Sequence, residues 1–219
     1  MKNISMFIFT VFIAFDMFAQ KTITDNMEIQ AVMDACITMR EAVAAGDTAA
    51  IRRSAQQLRE TNTVNFSSLR CKDNSMSSLK GHLVFDEDFA DSLANGNISV
   101  FDKADDMTRT AAHRGQTANG SILTKTCFVK AGKSTKWTFA SKGHQELAVV
   151  AEAGGLVTIK VHVTNSAGLD ERHDDTKSVK KGLPQRKTSF ELPEDRKNTV
   201  ELEIINCGKK DCSFVVISN

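Results

Sequence analysis

The sequence predicts an α+β protein: an N-terminal helical hairpin followed by a mostly antiparallel β-sandwich, jelly-roll-like in its strand pattern. Three observations carry the prediction. Apolar residues between Asp25 and Leu58 recur at steps of three and four, the period of amphipathic helices. From Ile122 onward the period falls to two, in seven short runs separated by turn residues. With 41% apolar residues, the roughly 200 residues after the opening segment suffice for one domain with an appendage, or for two small ones.

Residues 1–19 read as a signal peptide. Lys2 precedes an apolar run from Ile4 to Phe15, and Met17-Phe18-Ala19-Gln20 supplies a small-residue cleavage site after Ala19. The run is shorter than the roughly 20 residues needed to cross a bilayer, and Asp16 closes it with a charge. The expected location is periplasmic or extracellular; the alternative is a short apolar helix on a cytosolic protein.

Residues 20–62 form the predicted hairpin. Ile29, Val32, Met33, Cys36, Ile37 and Val43 mark the inner stripe of a first helix that Gly46 ends. Asp47 then caps a second helix, whose inner face carries Ile51, Ala55 and Leu58 while Arg52, Arg53 and Arg59 point outward. Two helices bury too little to stand alone, so the pair is expected to dock on the rest of the chain.

Residues 63–121 read as an irregular connection, with short strands at Leu83–Phe85 and Ile98–Phe101. Asp86, Glu87, Asp88 and Asp91 could hold calcium, but the EF-hand order is absent and a solvated acidic turn accounts for them as well.

Residues 122–219 form the predicted sandwich, with strands at Ile122–Val129, Thr135–Ala140, Glu146–Ala151, Leu156–Thr164, Lys187–Leu192, Val200–Asn206 and Ser213–Ser218. In the fourth run Val157, Ile159, Val161 and Val163 share one face, and Thr158, Lys160, His162 and Thr164 the other. Val200, Leu202 and Ile204 likewise alternate with Glu201 and Glu203.

Five cysteines, Cys36, Cys71, Cys127, Cys207 and Cys212, follow the opening segment. Cys207 and Cys212 flank a turn between two strand-like runs, which predicts a hairpin closed by a disulfide. A zinc knuckle would need a second ligand pair that the sequence lacks. Cys36, on an apolar helical stripe, is expected as a buried free thiol.

The succession Glu146-Leu147-Ala148-Val149-Val150-Ala151, Gly154-Gly155, Asn165-Ser166-Ala167-Gly168 and Glu203-Ile204-Ile205-Asn206-Cys207-Gly208 resembles the bacterial pre-peptidase C-terminal domain, and the Ala19-Gln20 junction resembles those of secreted Bacteroidota proteins. The family resemblance implies a small jelly roll that assists localisation or substrate binding. Aspartates that often flank that family's central strand are missing around Leu156-Val157-Thr158-Ile159, which removes a basis for a calcium-linked role there.

Catalytic motifs are scarce. Gly132-Lys133-Ser134 imitates the end of a phosphate-binding loop, but the first glycine position holds Cys127 and a strand follows. The five histidines, His82, His113, His144, His162 and His173, show no four-residue pairing, and no Gly-x-Ser-x-Gly elbow occurs. The connection Gly168 to Arg186 is long for a sandwich. Asp170, Asp174 and Asp175 within it are candidate calcium ligands, His173 with two aspartates a candidate transition-metal set, and a self-compensating loop with Lys177, Lys180, Lys181 and Arg186 the plain alternative. Trp137, in a chain without tyrosine, is a candidate ligand-binding platform for a sugar ring or else a core residue.

A net charge of +1 offers no global attraction for nucleic acid or anionic lipid. Two functional readings follow. One is an exported non-catalytic binding or accessory module that recognises a glycan, protein or cell-envelope partner through sandwich loops. The other is a secreted hydrolase whose Asp and His residues from 61–121 and 168–186 converge in space. No cofactor is implied beyond the candidate calcium.

Overall fold

Helix α1 (Met27–Ala45) begins where the Asn26 side chain accepts from the backbone N–H of Glu28 and Ile29, and ends at Gly46. Gly46 has φ 69, a left-handed conformation that closes the last turn without Cβ strain. Asp47 then caps α2 (Thr48–Glu60) by accepting from Ala50 N, so the predicted corner is present. The computed structural model describes residues 26–61, 63–66, 69–71, 81–96, 122–173 and 182–219. The expected signal peptide and the expected strand at Ile98–Phe101 lie outside these residues. No helix of the described residues is long and apolar enough to cross a membrane.

Two short strands, β1 (Thr63–Asn65) and β2 (Arg70–Cys71), precede a third helix, α3 (Glu87–Ala94). Here the sequence reading is corrected. Leu83–Phe85 is buried but not a strand, and the acidic cluster beside it begins a helix: Asp86 accepts from Asp88 N and Phe89 N as its N-cap. Carboxylates at a helix start complement its exposed N–H groups and dipole.

The sandwich follows as β3 (Ile122–Val129), β4 (Ser134–Ser141), β5 (Gly143–Ala151), β6 (Val157–Thr164), β7 (Asp170–Arg172), β8 (Gln185–Leu192), β9 (Asn198–Asn206) and β10 (Cys212–Ser218). One sheet has the order β1-β3-β10-β5-β8 and the other β2-β4-β9-β6-β7. Early and late strands alternate as neighbours in both, which is the wiring of a jelly roll. β1 joins β3 in parallel, and the other pairings are antiparallel.

These elements stack in three layers. The inner sheet, which contains β5 and β10, presents Leu147, Val149, Phe214 and Val216 to the outer sheet, where Ile159, Val161, Leu202 and Ile204 meet them. Its other face presents Ala148, Val150, Val215 and Ile217 to Ile29, Val32, Met33 and Cys36 of α1 and to the neighbouring helices. The hairpin therefore docks on the sandwich, as its insufficient burial requires. At the start of α1, Asn26 N donates to Glu146 Oε2 at 3.0 Å. Glu146, fully buried, also pairs with Lys187 of β8. Farther along, Arg40 Nη1 donates to Gln185 Oε1 at 3.0 Å, fastening α1 to β8.

Two cysteine expectations meet this topology differently. Cys36 is a buried free thiol, pushed up to about 12 by burial. The Cys207–Cys212 disulfide is corrected, because β9 and β10 belong to different sheets and their link is a crossover rather than a hairpin. Both sulfurs are free thiols: Cys207 is exposed with Sγ 3.5 Å from Thr158 Oγ1, while Cys212 is buried at the start of β10.

Candidate functional site

Strand alternation on the outer sheet sends apolar side chains to the core and polar ones to the opposite face. The strand register aligns that face. Lys136 of β4 stands beside Glu203 of β9, and Glu203 beside Lys160 of β6. In the next row Thr138, Glu201, His162 and Arg172 occupy successive strands. A central acidic column on β9 is thus flanked by basic side chains on both sides. Lys136 Nζ lies 3.3 Å from Glu201 Oε1, Lys160 Nζ lies 3.7 Å from Glu203 Oε2, and His162 Nε2 lies 2.8 Å from Asp170 Oδ1. The helices pack on the inner sheet and leave this charged lattice to face outward.

One end of the face is organised by Asn198, the first residue of β9, which is fully buried. Its Nδ2 donates to the carbonyls of Ser141, Pro193 and Arg196, and its Oδ1 accepts from Asn165 Nδ2 at 2.9 Å. A single side chain thereby ties the β4–β5, β6–β7 and β8–β9 turns together. Ala140, Ser141, Lys142 and the turn Glu194 to Lys197 line an open recess of about 440 Å³ beside it. Arg196 pairs with Asp195 there, and that hydrogen bond holds the Asp195 carboxyl below the usual carboxylate range. The opposite end uses the same device: Asn206 Nδ2 donates to Val129 O and Lys210 O, and Oδ1 accepts from Gly208 N.

The predicted site residues fall in several places. Asp170 lies on β7, a strand hidden within the supposed loop, and faces solvent with His162 as its partner. Asp174 and Asp175 lie outside the described residues. His173 stacks on Phe190 with centroids 4.7 Å apart and pairs with Glu171 at 3.1 Å. Among the described residues no three His, Cys, Asp or Glu side chains group to hold a metal ion.

Trp137 is corrected from ligand platform to core residue. It is 2% exposed and faces inward from β4 with Thr135 and Phe139. Lys125 Nζ sits 5.4 Å from its ring centroid and donates to Leu69 O, so the cation reaches the ring from within the fold.

The convergence required by a hydrolase is also not formed among the described residues. β2, from the first segment, and β7, from the second, occupy opposite edges of the outer sheet. His82, also from the first segment, pairs instead with Glu152.

Sequence reasoning overlooked Asn198 and named Asn165 only as part of a turn, without its contact to Asn198. Their signal was present as asparagines at strand boundaries, where side-chain amides commonly satisfy turn backbone.

No family model and no curated protein matches the chain, so the resemblance to the pre-peptidase domain stands at the level of the β-sandwich alone. Solved structures with a similar arrangement include the Yersinia pseudotuberculosis-derived mitogen, at 11% identity and TM-score 0.32, covering 45% of this chain and 85% of that one. TmCBM61, solved with β-1,4-galactotriose, is 8% identical with TM-score 0.27, covering 46% and 83%. Salmonella Typhimurium PliG, a periplasmic inhibitor of g-type lysozyme, is 14% identical with TM-score 0.29, covering 48% and 93%. None of these likenesses transfers a ligand or partner to this chain.

Proposed function

We propose that this chain is an exported, non-catalytic binding module that engages a polar protein partner through the outer face of the outer sheet and the adjoining Asn198 end. The carrying observation is the asymmetry of the layers. Helices cover one face of the sandwich, while the other presents Lys136, Glu203 and Lys160 as an ordered row of opposite charge with Glu201 beside it.

Such a lattice favours a partner with complementary charge rows, because electrostatic matching governs register and encounter rate. A protein fits better than a neutral glycan: the described side chains of this face include no Phe, Tyr or Trp ring on which a sugar could stack. The leader-like residues 1–19 support export.

The test is retention on an array of cell-envelope glycans and exported proteins, in calcium and again in chelator, comparing the native chain with the variant K136Q/K160Q. Retention by a protein, lost at least tenfold in the variant while its melting temperature holds, is the expected outcome. Equal retention by both chains, or retention on glycans alone, overturns the reading. Loss on chelation alone would shift the site to Asp170, Asp174 and Asp175.

A further inference from the structure

Away from the outer face, His82 meets the end of the inner sheet where β5 turns toward β6. Its Nδ1 lies 2.6 Å from Glu152 Oε1, and the two side chains are only 20% and 15% exposed. Glu152 Oε2 accepts from Leu83 N at 3.0 Å, and Oε1 accepts from Ser213 N at 2.9 Å. Ser213 Oγ in turn donates to Leu83 O at 2.6 Å, and Glu152 N donates to Ser213 O at 3.0 Å. One carboxylate therefore joins the stretch before α3, the end of β5 and the start of β10.

We propose that the His82–Glu152 contact is a pH-sensitive latch, closed while the imidazole is protonated, that holds Gly81–Phe85 and the adjoining α3 against the inner sheet. Behind it Leu83, Val84 and Phe85 are buried in the helix-side core, and Phe85 N donates to Thr126 Oγ1 at 3.1 Å. Loosening the latch loosens a segment whose side chains pack under α2 and α3. This device is independent of the proposed binding face.

Among the described residues the groups around the imidazole are Glu152, Asp211 of the β9–β10 link, and the Phe128 ring on β3, in a T-shaped pair with centroids 4.8 Å apart. The hydrogen bond to Glu152 raises His82 above its ordinary 6.5; burial opposes this, and the charges of Glu152 and Asp211 add to it. The nearby Cys212 thiol is pushed up to about 12 by burial, then by Glu152 and Asp211, and so stays neutral. A histidine raised on folding stabilises fully below its unfolded value near 6.5 and loses that contribution as pH rises through the folded value. The latch consequently weakens toward alkaline pH.

The test is an NMR titration of His82 in the whole chain, together with amide exchange at Leu83 and Ser213 corrected for intrinsic rates. The expected result is a midpoint above 6.5, with protection at both amides falling about tenfold for each unit of that elevation. H82Q should show no such step. A midpoint at or below 6.5 overturns the proposal, as does Leu83 protection that ignores pH or falls equally in H82Q. Should H82Q fail to fold, the native titration and exchange decide alone.

Discussion

The two sheets share one wiring but have different surroundings. β5 and β10 of the inner sheet are apolar over most of their length and buried from Gln145 to Ala151 and along all of β10, because both faces are covered. β9 of the outer sheet alternates buried and half-buried residues apart from the exposed Thr199, because the described residues cover only one of its faces. The difference teaches that an uninterrupted apolar strand reports a layer on each side, whereas alternation marks a face left for solvent or a partner.

Substitutions in the covered inner sheet and on the open face of the outer sheet should separate these roles. The largest effect is expected from Val215→Asp, which places an unpaired charge between the inner sheet and the helices and should cost more than about 4 kcal/mol. Circular dichroism and denaturant titration would show a chain that is unfolded or barely folded; a well-folded variant would break the three-layer account.

Glu146→Ala should follow at about 3 kcal/mol, since it removes a fully buried partner of Lys187 and the acceptor for Asn26 N beneath α1. Adding K187M should recover part of that loss in the same titration. No recovery would mean that the pair does not act as a unit.

The smallest effect belongs to the outer face. K136Q/K160Q should change stability by less than about 0.5 kcal/mol, because half-exposed ion pairs are screened and contribute little. A cooperative loss of several kcal/mol there would make the lattice structural and remove the main support for a binding role.

Much of this contrast is legible in the residues themselves. Val157, Ile159, Val161 and Val163 announce a one-sided strand, and Gly46-Asp47 announces the helical corner. What escaped has physical reasons. Asp170–Arg172 is a strand of three charged residues that gains its identity from pairing with β6, so it has no apolar pattern of its own. Leu83–Phe85 is apolar because it is buried, and burial alone does not distinguish a strand from a helix approach; the cap at Asp86 was the stronger local signal.

Cys207 and Cys212 mislead for a related reason. Proximity along the chain says nothing about whether the intervening turn returns to the same sheet. As for the candidate face, its charges are visible in β4, β6 and β9, but their assembly into rows depends on placing β9 between β4 and β6. Local patterns do not encode that neighbour relation.

The pairing of β3 with β10 also sets the tempo of folding. Residues 123–129 pair antiparallel with residues 212–218, and β10 supplies Val215 and Ile217 to the floor on which the helices rest. Such long-range closure raises contact order and slows the search for the native state. During synthesis, the helical hairpin is made first but obtains its complete platform last. Until the final strand arrives, its apolar stripe is a surface awaiting burial and prone to association with other chains.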